Sequence, residues 1–219
     1  MWGFGIIKRK NIPSTKEIRQ TLIHCGFNKL FIQGDSILKK DPAIQIDCNG
    51  IAQGYTVDKI AELMERNNIE DYMVELGGEV RVKGNNPKGN AWVIGIHSGD
   101  PDLEENTHQY SISTQQGGIT TSGTKGKTRT YKRRSFSHIL DPRSGRPVNA
   151  SMIAVTVFAL DAMTADALDN ALMVMGPDES LQFLKTCTDI EAFLTYLGKD
   201  GMIKHIMTPG MNKLCSIKP

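Results

Sequence analysis

Aromatic residues are scarce in this 219-residue chain, at 6% for Phe, Trp and Tyr together. Proteins that read nucleic acid by stacking need aromatics interleaved with basic side chains. The charge is nearly balanced, with 26 basic against 24 acidic residues and a formal net charge of +2. A dedicated polyanion binder is therefore not expected, and no nucleic-acid partner is predicted. Long apolar runs are missing too: no stretch approaches the ~18 apolar residues of a membrane-spanning helix. The opening Met1-Trp2-Gly3-Phe4-Gly5-Ile6-Ile7-Lys8 lacks the apolar core of a secretion signal and reads as a chain entered partway through a fold. Cysteine is limited to Cys25, Cys48, Cys187 and Cys215, with no C-x-x-C pair and no histidine at zinc-finger spacing. That pattern predicts no structural zinc, leaves a disulfide open, and suits thiols packed mostly as small apolar groups.

What is present describes an ordinary globule. Hydrophobic residues make up 39% and charged ones 23%, which excludes disorder and fibrous repeats, while 21 glycines predict many tight turns. Ser14-Thr15-Lys16-Glu17 is a capping-box pattern leading into Ile18, Leu22 and Ile23, with Gly26 as a stop. Short strands are expected at 29–33 and 43–46, and a second helix at about 52–67 with Val57, Ile60, Ala61 and Met64 on one face. Strands follow at 72–76, 79–82, 91–97, 110–113 and 118–121, then a nearly all-apolar, buried strand at 152–159. Helices are expected at 164–175, closed by Gly176-Pro177, and at 178–187, with final strands at 191–197 and 202–207. No repeat, low-complexity linker or clear domain boundary appears. The pattern predicts a mixed α/β chain with much antiparallel sheet.

Thr164-Ala165-Asp166-Ala167-Leu168-Asp169-Asn170 carries the strongest chemical signal. On a helix, positions i, i+3 and i+4 share a face, so Asp166, Asp169 and Asn170 converge. Three oxygen-bearing side chains suit a hard cation such as magnesium or calcium, and carboxylates one turn apart repel unless something positive lies between them. Helix-start chemistry, with Thr164 as the cap, is the alternative. A second segment, Asp47-Cys48-Asn49-Gly50-Ile51-Ala52-Gln53-Gly54-Tyr55-Thr56-Val57-Asp58, ends a strand on an acid and opens through glycines into a helix. Such a start can hold a phosphate, although the spacing matches neither a dinucleotide fingerprint nor a Walker loop, and a simple glycine turn also explains it.

Gly117-Gly118-Ile119-Thr120-Thr121-Ser122-Gly123 places hydroxyls and glycines at a strand end, as a phosphate contact or as a turn. In Ser137-His138-Ile139-Leu140-Asp141-Pro142-Arg143, the proline forces Asp141 toward an extended conformation beside a histidine suited to proton transfer, with a structural histidine as the alternative. The run 125–134 holds six basic residues of ten and reads as a solvated hairpin or a polyphosphate guide.

In this order, these segments resemble the FAD:protein FMN transferase family, the ApbE-like proteins. The stretches that carry the resemblance are Ile46-Asp47…Gly50-Ile51-Ala52-Gln53-Gly54-Tyr55…Val57-Asp58, Glu75-Leu76-Gly77-Gly78-Glu79, Trp92-Val93-Ile94-Gly95-Ile96, Thr121-Ser122-Gly123, His138-Ile139-Leu140-Asp141-Pro142-Arg143-Ser144-Gly145 and Ala165-Asp166-Ala167-Leu168. The resemblance covers nearly the whole chain, Trp2 to Gly201, and the quoted stretches run from Ile46 to Leu168.

The resemblance implies one ApbE-like region over residues 1–219, with a largely antiparallel, T-fold-related α+β architecture. It also implies an enzyme using Mg2+ to split FAD, its substrate, and to join FMN through a phosphoester to a Thr or Ser of an acceptor protein, releasing AMP. By the same resemblance, Asp166, Asp169 and Asn170 with the Gly50 carbonyl would hold the metal. Asp47, Gln53, Asp58, Gly78, Glu79, Thr121, Ser122, Gly123, His138 and Ile139 would contact FAD, and His138 with Asp141 would serve catalysis.

Two positions depart from the family pattern. Asn170 stands where threonine is usual, so altered metal affinity is expected, and Gln53 stands where lysine or glutamate is common. Family members also carry a longer amino-terminal portion behind a secretion or lipoprotein signal, which implies a periplasmic or membrane-anchored lipoprotein; this chain is expected to begin after it. Hydrolysis of FAD to FMN and AMP, and flavin binding without turnover, are the alternative functions.

Overall fold

The computed structural model describes residues 1–4, 9–96, 110–124, 128–132, 134–148 and 151–217. Its elements in chain order are helix α1 (Thr15–Leu22), strands β1 (Leu30–Gln33) and β2 (Ser36–Lys39), helix α2 (Ala52–Arg66), strands β3 (Tyr72–Leu76), β4 (Glu79–Lys83), β5 (Trp92–Ile96), β6 (Tyr110–Thr114), β7 (Gln116–Gly123), β8 (Thr128–Tyr131), β9 (Arg134–Ser137), β10 (Leu140–Asp141), β11 (Arg146–Pro147) and β12 (Met152–Ala159), helix α3 (Ala162–Leu184), strands β13 (Glu191–Leu197) and β14 (Ile203–Met207), helix α4 (Pro209–Leu214) and strand β15 (Cys215–Ile217). They form two compact units: Cys48–Lys125 with Asn149–Pro219, and Met1–Asp47 with Gly126–Val148.

The larger unit is built on a six-stranded sheet of order β14-β13-β12-β7-β4-β3, antiparallel at every described pairing. β12 lies inside it, and its Met152, Val155, Val157 and Ala159 have no solvent exposure, as expected of an apolar run too continuous for a half-solvated strand. Its register sets Val155 opposite Ser122 and Thr156 opposite Thr121 on β7, which aligns the hydroxyl-rich end of β7 beside α3. A second sheet, β15-β6-β5, closes over Ile96, Tyr110, Ile112, Ile119, Phe193 and Met211.

α2 buries Gly54, Val57, Asp58 and Ala61, an i, i+3, i+4, i+7 stripe that packs on Tyr72, Val74 and Ala162. α3 begins two residues before the expected start. Asp161, not Thr164, is its cap: the Thr164 N–H donates to Asp161 Oδ1 at 2.7 Å and the Thr164 hydroxyl to Oδ2 at 2.9 Å. The expected break falls at Gly176, whose φ of 78° lies in the left-handed region, but the helical path resumes directly. Fully buried Ser180 spans the break by donating to the Leu172 carbonyl at 3.1 Å.

In the smaller unit the capping box of α1 is complete: the Ser14 N–H donates to Glu17 Oε2 at 2.8 Å, and the Glu17 N–H to Ser14 Oγ at 3.3 Å. The chain leaves this helix at Leu22, ahead of Gly26. Antiparallel pairs β1–β2, β8–β9 and β10–β11 make up the rest. Residues 43–46, expected as a strand, are not one; the Asp41 side chain accepts from the Ala43 N–H and its carbonyl from the Ile44 N–H, which makes a turn. β2 escaped the reading because all four of its residues are exposed and show no alternation. Basic residues of the 125–134 run sit on the β8–β9 hairpin; 125–127 and 133 lie outside the described residues, as do 5–8 and His97. All four cysteines are free thiols, two exposed and two half-buried, so the expected apolar packing is only partial.

Candidate functional site

Each α3 side chain singled out in the sequence has a defined environment in the larger unit. Asp166 and Asp169 are 4% and 1% exposed, a depth at which a carboxylate needs strong partners. The Asp169 Oδ1 accepts from the Ser122 hydroxyl at 3.0 Å, while Asp166 Oδ2 accepts from the Gly54 N–H at 3.0 Å. Asn170 turns its amide nitrogen back onto Asp166, donating to the main-chain carbonyl at 3.1 Å and to Oδ1 at 3.4 Å. Gly50 lies close by, since a Cβ placed on it would sit 3.8 Å from Asn170 Nδ2.

The strand and helix periods explain this gathering. Thr120 and Ser122 are two apart on β7 and share the face toward α3; Thr121 points the other way, where its hydroxyl meets that of Thr156 at 2.8 Å. Thr120 was not singled out as a candidate, although its alternation with Ser122 was a signal for it. Its hydroxyl is fully buried, favours the ionised form of Asp169, and has no hydrogen-bond partner of regular geometry among the described residues. Gly54 belongs to the glycine-bearing helix start expected to hold an anion, and the anion it meets is the Asp166 carboxylate. It sits in the first turn of α2, where main-chain N–H groups lack helical partners.

Burial pushes the Asp169 carboxyl up to about 8; the hydroxyls of Thr120 and Ser122 oppose the rise and the charge of Asp166 adds to it. Asp166 is also raised, by burial, against the pull of the Gly54 N–H. Glu79, in the same unit, is pushed up to about 7 by burial, with the charges of Asp166 and Glu75 contributing. No lysine or arginine is among the influences on Asp166 or Glu79. The result is a cluster of acids whose ionised forms burial disfavours.

Gln53 links the first turn of α2 to the β3–β4 turn, its amide donating to Glu79 Oε2 at 3.0 Å and to the Leu76 carbonyl at 3.4 Å. Gly77 stands in that turn at a φ of 67°, in the left-handed region that favours glycine. Gly78 is exposed and donates its N–H to Glu75 Oε1 at 2.9 Å. Asp58 is engaged elsewhere on α2: Oδ1 accepts from the Ala162 N–H at 2.9 Å and from Arg81 Nη1 at 2.8 Å, and Oδ2 from the Met163 N–H at 2.8 Å. Gly123 pairs with Ala154 at the end of β7.

The remaining candidates belong to the smaller unit. Asp47 is exposed. The His138 ring meets Phe4 edge-on at 6.4 Å, and Ile139 is buried. Burial alone would raise Asp141, but the Arg143 N–H and Nε, donating to Oδ1 at 2.8 and 3.0 Å, outweigh it and hold the carboxyl below its ordinary value. Asp141 is thus an ionised acceptor.

Among the described residues, no three His, Cys, Asp or Glu side chains lie close enough to hold a metal ion by themselves. The polar groups gathered in the larger unit nonetheless offer oxygen: two carboxylates raised chiefly by burial, with the charge of Asp166 adding to the rise of Asp169, the Asn170 amide and the Thr120 hydroxyl. Such a set fits a hard divalent cation that keeps some of its water and does not fit zinc.

The ApbE family model matches residues 1–194, and the chain belongs to that family. Relatives named FAD:protein FMN transferase from Vibrio cholerae and Escherichia coli are 36% and 33% identical, over 83% and 84% of this chain and 54% of each relative. The chain therefore spans about half the length of the curated relatives it matches. Solved structures agree. The flavin transferase ApbE of Vibrio cholerae superimposes with a TM-score of 0.83 at 32% identity, over 97% of this chain and 67% of that one. The ApbE protein from Thermotoga maritima gives 0.80 at 27%, over 97% and 68%.

Proposed function

We propose that this chain supplies the cation-holding part of an FAD:protein FMN transferase. The observation that carries the reading is the pair of buried carboxylates, Asp166 and Asp169, raised in pKa and set beside the glycine-bearing first turn of α2. Pyrophosphate cleavage builds negative charge on the departing phosphate, and a divalent ion bound by oxygen ligands neutralises it and orients the leaving group. Asp166, Asp169, the Asn170 amide oxygen and the Gly50 carbonyl would hold Mg2+ here.

In the proposed reaction, the hydroxyl oxygen of an acceptor Thr or Ser attacks the FMN-side phosphorus of FAD. The new phosphoester forms as the bond to the AMP oxygen breaks, and AMP leaves as the anion. The hydroxyl proton must go to a base. His138 is assigned that role, with Asp141, kept ionised by Arg143, orienting it or the substrate. Gln53, Glu79, Ser122, Gly123, Gly78, Asp47, His138 and Ile139 are assigned to FAD, and Thr121, whose hydroxyl meets that of Thr156, is left out. A periplasmic or lipid-anchored location at the membrane is part of the same proposal, as the family resemblance implies. No helix among the described residues is long and apolar enough to cross a membrane.

Mass spectrometry of a threonine-containing acceptor peptide, incubated with the full-length protein, FAD and Mg2+, tests the reading. A gain of one FMN with AMP release supports transfer. Free FMN and AMP with an unmodified peptide would reassign the protein to hydrolysis, and unchanged FAD to binding alone. Asp166→Ala is expected to abolish the cation-dependent reaction while leaving the circular dichroism spectrum intact; retained activity would remove the assigned cation site.

A further inference from the structure

α2 and α3 cap each other. Asp58 of α2 accepts from the first two N–H groups of α3, at Ala162 and Met163, and Asp166 of α3 accepts from the Gly54 N–H in the first turn of α2. The arrangement is reciprocal: Gly54 precedes Asp58 by four residues, and Ala162 precedes Asp166 by four. The helices touch where Gly54 meets Ala162, a contact so close that a Cβ on Gly54 would lie 2.4 Å from the Ala162 carbonyl oxygen. Each carboxylate thus sits one turn along its own helix and satisfies the orphan donors of the other.

The two carboxylates differ in one respect. Asp58 also has a cation of its own, Arg81 of β4, at 2.8 Å and with both side chains largely shielded from solvent. Asp166 has no basic side chain acting on it and leaves Oδ1 to the weaker Asn170 contact. One end of the reciprocal cap is closed, and the other presents an oxygen to the patch.

We propose that Asp58, braced by Arg81, is a positioning residue for that patch rather than an FAD contact: it seats the first turn of α3 on α2 and so sets where Asp166 and Asp169 stand. Both its oxygens are committed inside the helix pair, and three charge-assisted hydrogen bonds converge on it. Outer partners that orient a ligand in this way typically change metal affinity by ~10–100-fold when lost. The inference rests on the reading of the patch as a cation site, and its test keeps the two separable.

Asp58→Asn preserves shape but replaces one acceptor oxygen with a donor facing either an N–H or Arg81. Two measurements are made on the metal-free full chain and its variant. Amide hydrogen exchange reads Gly54, whose own acceptor is untouched, and electron paramagnetic resonance reads binding of Mn2+ alone. The expected result is faster exchange at Gly54 and Mn2+ binding weakened about tenfold or more, with the circular dichroism spectrum retained. Arg81→Lys, which keeps the charge beside Asp58, is expected to fall between the two.

A lowered melting temperature with Gly54 protection and Mn2+ affinity both unchanged would show a merely structural cap and overturn the proposal. If the wild-type chain binds no Mn2+ but Asp58→Asn still exposes the Gly54 amide, the positioning role stands and the cation reading falls.

Discussion

Gly54→Ala sets two physical effects against each other. By helix propensity alone, alanine at an interior helical position stabilises by about 1 kcal/mol. The structure predicts the opposite sign. A Cβ at Gly54 would come within 2.4 Å of the Ala162 carbonyl oxygen, 2.7 Å of its carbon and 2.8 Å of Met163 Cα, all main-chain atoms that cannot rotate away. Ordinary contact begins near 3.4 Å, so α2 and α3 must separate by about 1 Å at their crossing. Overpacking of this kind costs about 1–3 kcal/mol, and stretching the charge-assisted bond from the Gly54 N–H to Asp166 adds about 1–2 kcal/mol. After subtracting the propensity gain, a net loss of about 1–4 kcal/mol is expected. With a urea dependence of about 2–3 kcal/mol per molar, the unfolding midpoint falls by about 1 M. Equilibrium urea unfolding followed by circular dichroism measures it. An unchanged or raised midpoint would refute the close-packed helix crossing, and with it the geometry assigned to Asp166.

Two further outcomes follow from the buried acids and from the α3 break. Because Asp169 is raised to about 8 and Glu79 to about 7, both hold protons in the folded chain that the unfolded chain releases near pH 4. Their contribution to stability is present below that range and is lost as the pH climbs to about 8, at no more than about 1.4 kcal/mol per pH unit per group. Thermal unfolding of metal-free protein from pH 5 to 8.5 should show that decline, and Mg2+ should restore stability most at the alkaline end. Calorimetric titration with Mg2+ at pH 7 should release protons, seen as a dependence of the apparent heat on buffer ionisation enthalpy; equal heats in all buffers would contradict these values. Ser180→Ala removes the donor that spans the Gly176 break and leaves the Leu172 carbonyl buried, which should cost about 1–2 kcal/mol in urea unfolding.

Local chemistry was legible where it acts over a few residues. The Ser14–Glu17 box starts α1, the apolar stripe of α2 runs close to the residues its periodicity marked, and the unbroken apolar run of β12 lies in the middle of the sheet. Asp166, Asp169 and Asn170 share the helical face that their spacing required. The errors have local causes as well. Asp161 displaces Thr164 as the α3 cap because its side chain reaches the Thr164 N–H, whereas residues 43–46 follow the turn imposed by Asp41. Thr121 shows the limit of motif reading: one step of strand alternation sends its hydroxyl to Thr156 and gives Thr120 and Ser122 to Asp169.

Periodicity and capping are properties of neighbours in the chain, so α1, α2, α3, most strands and the acidic face of α3 follow from the sequence alone, while the short α4 does not. Pairings across a hundred residues are not. That Asp58 would cap α3, that Asp166 would cap α2, and that Gly54 would meet Ala162 depend on two helices crossing over a sheet whose register is set by β7, β12 and β4 together. Burial then decides the chemistry. The same residue type that stays ionised at the surface is pushed up to about 8 at position 169, because packing removes water from its carboxyl and the hydroxyls of Thr120 and Ser122 replace only part of the lost solvation.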